Sequence, residues 1–174
     1  MKLTRITSAD NPLFKKATEL YRIGFPLHEQ RESAAQIKIL SDGAYRFDVA
    51  CEVNNFVGEI LYWEFENFVY VEHFCVEPSM RNKGYGQKIL SLLPKKTLIL
   101  EIDPPKNEIS LRRKGFYERC GFVENPFRHI HPPYKKGNSG HTLVVMSSPR
   151  ALTGKEYDEF FKTLVNIVMS DENI

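Results

Sequence analysis

The sequence has little of what marks a secreted, disulfide-stabilised protein. Its 174 residues include three cysteines, Cys51, Cys75 and Cys120, which lie far apart without a CxxC spacing. This odd, scattered set is typical of reduced thiols in the core of a cytosolic protein. The opening residues MKLTRITSADNP also lack the apolar stretch of a signal peptide. We therefore expect a cytoplasmic location.

Long apolar runs and a charge excess of one sign are missing too. No run approaches the roughly 20 apolar residues of a membrane-spanning helix, so we expect no membrane association. Lysine and arginine total 24, and aspartate and glutamate total 22, which gives a formal charge of +2. Because a dedicated duplex-binding protein usually carries a far stronger basic excess, nucleic acid is not the expected main partner.

The residues that are present predict one folded domain. Hydrophobic residues make up 42% and charged residues 26%, a balance typical of globular proteins with a substantial core. The chain has no internal repeat, low-complexity tract or linker-like stretch. We expect a single domain over residues 1–174, with a core over about 1–147 and an additional C-terminal helix over about 152–170.

Hydrophobic spacing predicts the elements of the first half of the chain. Asn11-Pro12 resembles a helix start, and Gly24 resembles a helix stop. Alternation in YRFDVAC indicates a half-buried strand, the first of three that form an antiparallel meander. The predicted elements are a strand over 2–6, helices over 11–24 and 28–41, and strands over 45–51, 56–63 and 68–76.

Helices and strands alternate in the second half. The apolar run TLILEI is typical of a central strand, and Gly121 stands where a left-handed residue ends a helix. The predicted elements are a helix that ends at Pro94, a strand over 97–102, a helix over 107–120, two weaker strands around a loop within 122–147 that ends in a clear strand over 142–146, and a final amphipathic helix over 154–170. We expect the apolar face of this last helix to pack on its own chain. Strands on both sides of a strand–helix–strand unit predict a mixed α/β sheet.

One segment of this sheet carries a candidate ligand site. After the strand over 68–76 come Arg81-Asn82-Lys83-Gly84-Tyr85-Gly86 and then a helix. Glycines let the backbone approach a ligand closely, and free N–H groups at a helix start attract a pyrophosphate. The spacing is neither that of a Walker P-loop nor GxGxxG. The alternative is a glycine-containing loop that only joins a strand to a helix.

Two sequence motifs at the expected distance from each other indicate a family for this segment. The chain resembles the GNAT superfamily of acetyl-CoA-dependent N-acetyltransferases, whose members carry [RQ]-x-x-G-x-[GA] after the fourth strand, as Arg81 to Gly86 do here. Members also commonly carry FYxxxGF at the end of a later helix, and Phe116 to Phe122 match it. The resemblance covers residues 2–147. It implies a GNAT-like fold: a central mixed sheet of about six to seven strands, splayed between its fourth and fifth strands and flanked by helices.

The resemblance also implies where the cosubstrate acetyl-CoA would bind. N–H groups at the helix mouth would hold the pyrophosphate, and the end of the fourth strand would pair with the pantetheine arm. Many family members carry asparagine seven residues before the tyrosine of FYxxxGF, where this chain has Ser110. The residues implied in cofactor binding are Phe74, Cys75, Val76, Arg81, Asn82, Lys83, Gly84, Tyr85, Gly86, Gln87 and Ser110.

Tyr117 would be the general acid that protonates the departing CoA thiolate, and the alternative is a core aromatic beside Phe116. The family usually attacks directly, so the acceptor amine must lose a proton. Glu72 is expected as the base or as an anchor for the acceptor. His73 is expected as a core histidine satisfied by a backbone carbonyl. Strict alternation would put Phe74 on the same face of the strand as Glu72.

Other polar residues give weaker signals. In the family, acceptor-contacting residues often come from the segment between the first two helices, here Phe25, His28 and Glu29, and from the loop that contains Tyr134. His129 and His131 share one strand face, but the sequence places no third ligand near them, so we expect no metal.

The sequence therefore predicts an enzyme that moves an acetyl group from acetyl-CoA to a primary amine of a small molecule or peptide. The alternative is a non-catalytic acyl-CoA-binding or regulatory module of the same fold. A third hypothesis, a nucleotide-binding adaptor, would prefer ATP or NAD to CoA. Monomer and homodimer both remain open.

Overall fold

The computed structural model describes residues 1–53 and 55–170, and within them a mixed sheet carries helices on both faces. The strands are β1 (Lys2–Ile6), β2 (Tyr45–Glu52), β3 (Asn55–Glu64), β4 (Phe68–Val76), β5 (Thr97–Ile102), β6 (Val123–Glu124), β7 (His129–His131) and β8 (His141–Ser148). The helices are α1 (Phe14–Gly24), α2 (Ser33–Ile39), α3 (Tyr85–Ser91), α4 (Glu108–Arg119) and α5 (Gly154–Thr163), with a π-helical turn over Leu164–Val168 after α5.

The described strands lie in the order β1-β2-β3-β4-β5-β8-β6, and β7 also pairs with β8. Among the strand pairs of the described residues, only β4 and β5 run parallel, so the predicted mixed sheet is confirmed. The described residues form eight strands where six to seven were expected. The difference arises because β6 and β7 pair with opposite ends of β8, at Ser147 and at Leu143.

Each face of the sheet has its own apolar cluster. One cluster packs α1, α2 and α5 against the sheet and includes Trp63 and Tyr70. The other packs α3 and α4 against the opposite face and includes Val71 and Tyr117. In each cluster, buried apolar side chains contact one another continuously. Burial of apolar surface is the main favourable contribution to the free energy of folding. The sheet therefore holds α3 and α4 together on one side.

The C-terminal helix packs on its own chain, as expected. The ring of Phe160 contacts the rings of Phe68 and Tyr70 on β4, and Leu164 and Val168 are fully buried. The helix begins with a capping box between Thr153 and Glu156. This helix thus supports the strand that borders the candidate site.

Two helix predictions need correction. Asn11 does not begin α1: its side-chain Oδ1 accepts a hydrogen bond from Leu13 N, and the helix starts at Phe14. The helix predicted over 28–41 is only Ser33–Ile39, because extended backbone at Gln30 separates it from a 3₁₀ turn over Leu27–Glu29. Gly121 has a φ of 87°, the predicted left-handed conformation. In the described chain, no helix is both long enough and apolar enough to cross a bilayer.

Candidate active site

A cleft opens where β4 and β5 separate. The two strands pair only from Phe68 to Val71 on β4 and from Thr97 to Leu100 on β5. Beyond that point β4 stays paired with β3, and β5 stays paired with β8. The edge of β4 that faces β5 therefore has no described strand beside it from Glu72 to Val76. The predicted splay is confirmed, and the cleft has a volume of about 1130 Å³.

A bulge in β4 lies at the point of separation. On β3, Tyr62 pairs with Val71 and Leu61 pairs with His73, so Glu72 is the extra residue of the bulge. The predicted alternation is wrong beyond this point. Glu72 bonds Trp63 in the cluster on the α1 face, whereas Phe74 packs against the cluster on the α3 face. The bulge turns two adjacent polar side chains, Glu72 and His73, toward the α1 face.

The motif at 81–86 forms the loop and the first residues at the N-terminal end of α3. This segment, the glycine mouth of α3, lies at one end of the cleft. Asn82 and Gly84 have left-handed backbone, with φ of 62° and 76°. The first hydrogen bond of the helix runs from Lys88 N to Gly84 O. The N–H groups of the helix residues before Lys88 therefore have no acceptor within α3. A Cβ at Gly86 would lie 2.9 Å from the ring of Phe116, so glycine is needed for α3 to approach α4.

Almost all of the predicted site residues line this one cleft. The exceptions are Lys83 and Ser110. Lys83 Nζ donates to Ser79 O at 2.8 Å, so the side chain of Lys83 lies along its own loop and not in the cleft. Arg81 lines the cleft, and its Nε donates to Val76 O at 3.0 Å.

The fourth helix presents Tyr117 to the cleft and keeps Ser110 out of it. Ser110 is buried, and its Oγ accepts from Asn107 N at 3.1 Å while Asn107 Oδ1 accepts from Ser110 N. Ser110 is therefore part of the capping box that begins α4, and its contact with the cofactor stays a prediction from the sequence. Burial raises the pKa of Tyr117 to about 12, so its hydroxyl keeps its proton at neutral pH.

The side chain of Glu72 is fully buried, and each of its oxygens accepts a hydrogen bond. Its Oε1 accepts from Arg31 Nη2 at 2.7 Å, and its Oε2 accepts from Trp63 Nε1 at 2.8 Å. Burial alone would raise the pKa of this carboxyl. The cation of Arg31, with His73 and hydrogen bonds from Trp63 and Tyr134, outweighs burial and lowers it. Glu72 is thus an ionised partner in a buried ion pair, and its role as base remains a prediction from the sequence.

The neighbouring histidine behaves as predicted. His73 Nε2 lies 2.8 Å from Glu29 O, and since a carbonyl only accepts, Nε2 carries the proton. Burial lowers the pKa of His73 to about 4, so the ring is neutral at pH 7. Phe25 packs edge-on against this imidazole at 4.6 Å between ring centroids. These contacts fix the turn that brings His28 and Glu29 to the cleft.

A carboxylate that the sequence pattern does not point to, Glu101, lies between two imidazoles. Glu101 lies on β5 just beyond Leu100, the last residue that pairs with β4; it bonds Nε2 of His129 and accepts from the hydroxyl of Tyr70. His131 Nε2 lies 3.7 Å from Glu101 Oε2, and its Nδ1 donates to Pro132 O. Glu101 and His131 both line the cleft. Strand pairing brings these distant residues together, so only the pair of histidines was visible as a signal.

The loop after β7 covers the far wall of the cleft. Tyr134 is buried, stacks on His131 at 5.0 Å between ring centroids and lies near the guanidinium of Arg31. Burial raises the pKa of its hydroxyl well above the ordinary value. Tyr134, His28 and Glu29 therefore lie at the end of the cleft where β4 and β5 separate, while the glycine mouth of α3 lies beyond the end of β4.

Comparisons with known proteins support the same architecture. Residues 43–124 match the family described as "Acetyltransferase (GNAT) domain". A solved structure from Bacteroides thetaiotaomicron, described as an acetyltransferase of the GNAT family, is 31% identical. The two superpose with a TM-score of 0.91, over 98% of this chain and 99% of that one.

More distant relatives share less of the sequence. The Bacillus subtilis (strain 168) protein YjbC, described as an acetyltransferase, is 26% identical over 102 residues, which span 56% of this chain and 52% of that protein. An aminoglycoside 6'-N-acetyltransferase solved with coenzyme A superposes with a TM-score of 0.59 at 17% identity. This likeness covers 85% of this chain and 96% of that one, and it supports the fold alone.

Proposed function

This chain belongs to the GNAT family of acetyltransferases, whose cosubstrate is acetyl-CoA, and we propose that it transfers the acetyl group to a primary amine of a small molecule or peptide. The observation that carries the proposal is the open edge of β4 that leads to the glycine mouth of α3. We propose in addition that the protein acts in the cytoplasm, as a monomer or a homodimer.

The residues of the cleft fit acetyl-CoA by their chemistry. The N–H groups at the start of α3 suit a pyrophosphate, because they have no acceptor in the helix and the helix dipole favours anions. Because Gly86 has no Cβ, the N-terminal end of α3 can lie close to the ring of Phe116. The open edge of β4 supplies backbone groups for the amides of the pantetheine arm. An arm that runs from α3 along this edge brings the thioester to the point where the strands separate.

Tyr117 is proposed as the general acid. Attack by the amine nitrogen on the thioester carbonyl carbon forms the C–N bond and breaks the C–S bond, and Tyr117 gives its proton to the sulfur. A phenol whose pKa burial raises to about 12 stays protonated until negative charge develops beside it. Its hydroxyl then regains a proton from solvent.

His131 is proposed to accept the proton of the amine, in place of Glu72. Both oxygens of Glu72 are bonded to Arg31 and Trp63. His131 donates from Nδ1 to Pro132 O, which leaves Nε2 as the ring atom that can accept a proton, and Nε2 has no hydrogen-bond partner among the described residues. Glu101 lies close enough to stabilise the resulting imidazolium. Because Nε2 is buried, the Tyr134 segment must shift when the acceptor enters.

A screen of amines with acetyl-CoA tests the proposal. Spermidine, kanamycin and a lysine-containing peptide serve as acceptors, and release of CoA is followed with a thiol reagent. We expect at least one acceptor to give turnover. Tyr117→Phe should lower kcat about 10²–10⁴-fold and keep the affinity for acetyl-CoA. Tyr62→Phe, a buried tyrosine outside the cleft, is the matched control. Acetyl-CoA binding without turnover by any amine would favour the non-catalytic alternative.

The role of His131 has its own test. His131→Asn should lose kcat for an amine that is protonated at pH 7, because that amine needs a base. It should keep more activity toward hydroxylamine, which is largely neutral at this pH. An equal loss for both nucleophiles would contradict the role of His131 as base and leave acetyl transfer itself unaffected.

A further inference from the structure

We propose that His28, Glu29 and His141 form a binding site for a divalent transition-metal ion, represented here by zinc, at the mouth of the cleft. One ligand atom from each residue lies within 4.8 Å of the other two. All three side chains line the cleft. This site does not depend on the proposed acetyl transfer, and it differs from the histidine pair on β7.

The distances suit an ion after a small side-chain movement. Zinc–nitrogen and zinc–oxygen bonds of about 2.0–2.2 Å place tetrahedral ligands roughly 3.4 Å apart. His28 Nε2 is already 3.6 Å from Glu29 Oε1. The remaining separations are at most 4.8 Å, so they must shorten by up to about 1.4 Å. The side chain of His28 is 57% exposed, so it can turn without disturbing the core.

The backbone of the ligands is held by the fold. Glu29 O accepts from the buried His73, which ties the 3₁₀ turn to β4. His141 begins β8 and is in register with His131 on β7. A bound ion would therefore connect two segments that are fixed separately, which is the arrangement a preorganised site needs.

The donor atoms of the cluster suit a cation. Glu29 offers a carboxylate oxygen, and His28 and His141 each offer a ring nitrogen. A metal ion binds the deprotonated carboxylate and the neutral imidazole, so zinc binding at this site should weaken as the pH is lowered.

The ligand set indicates the class of metal. Two imidazoles and one carboxylate suit zinc and neighbouring transition metals, whereas magnesium and calcium prefer oxygen ligands. Three protein ligands leave a fourth position of a tetrahedral ion open. The candidate acceptor-binding residues Phe25 and Tyr134 line the same cleft.

Calorimetric titration of the full chain with zinc chloride tests this site, with magnesium chloride as the comparison metal. We expect one zinc ion per chain at micromolar or lower Kd, and no binding of magnesium. His28→Ala, His141→Ala and Glu29→Gln should each weaken zinc binding at least about tenfold. Glu32→Gln is the matched control, because this neighbouring carboxylate is 60% exposed and pairs with Lys135 instead.

Circular dichroism shows whether each variant is folded, and the exposed position of His28 makes His28→Ala the least disruptive one. Cobalt(II) gives a second readout, because nitrogen and oxygen ligation changes its visible absorption. The wild type should show this change and His28→Ala should lose it. Absence of zinc binding in the wild type, or equal affinity in His28→Ala and Glu32→Gln, would overturn the proposal.

Discussion

Replacement of Glu59 by glutamine should change how the stability of the protein depends on pH. Glu59 lies on β3 opposite Cys75 and has no exposed surface. Neither carboxyl oxygen has a hydrogen-bond partner in the described part of the chain. Burial therefore raises the pKa of Glu59 well above its ordinary value. The folded protein holds the proton of this side chain to a higher pH than the unfolded chain does.

The sign and size of the effect follow from proton binding. Below the pKa of the unfolded chain, Glu59 is protonated in both states and has no pH-dependent effect. Above it, the unfolded chain releases the proton while the folded chain keeps it, so the free energy of unfolding falls as pH rises. The loss is about 1.4 kcal/mol per pH unit, up to the pKa of the folded state. Over this interval the wild type therefore loses stability relative to Glu59→Gln, which has no carboxyl group to titrate at this position.

Urea unfolding at several pH values between 5 and 8, followed by fluorescence of Trp63, measures this difference. Other titrating groups contribute equally to both proteins, so the difference between the two curves isolates Glu59. Glu66→Gln removes an exposed carboxylate and serves as the control, whose curve should run parallel to that of the wild type. Parallel curves for the wild type and Glu59→Gln would refute the reasoning.

Two further substitutions test the packing beside the cleft. Arg31→Met leaves the buried carboxylate of Glu72 without its cation. This change should lower the free energy of unfolding, measured by urea unfolding, by about 3–5 kcal/mol. The double variant Arg31→Met, Glu72→Met should recover most of this loss, and no recovery would contradict the ion-pair account. Gly86→Ala introduces a Cβ 2.9 Å from the ring of Phe116 and should cost about 1–3 kcal/mol and weaken acetyl-CoA binding in calorimetry. Gly43→Ala is its control, since a Cβ there meets nothing within 4 Å; equal effects of the two would count against a tight α3–α4 contact.

The sequence predicted those parts of the fold whose cause is local. Alternation and apolar runs gave the main strands, and Gly121 gave a helix end, because each signal lies within a few residues. The glycine motif at 81–86 was visible for the same reason. The signal for the role of Ser110 is also local. Asn107 lies three residues before it and forms a capping box with it, so the sequence could have predicted this role.

The rest depends on strand pairing, which one sequence does not reveal. The bulge at Glu72 breaks the alternation and exists only in the register between β3 and β4. Glu101 meets His129 because β5 and β7 both pair with β8. His28 approaches His141 across more than a hundred residues of chain, with 5.2 Å between their ring centroids. Contacts between residues so distant in the sequence can be identified only from the three-dimensional fold.

Calorimetric titration of the folded protein with acetyl-CoA, beside ATP and NAD, is the most direct test of the account. We predict one acetyl-CoA per chain at micromolar Kd, with no comparable binding of ATP or NAD. A protein that is folded by circular dichroism and does not bind acetyl-CoA would contradict the assignment of the cleft to this cosubstrate.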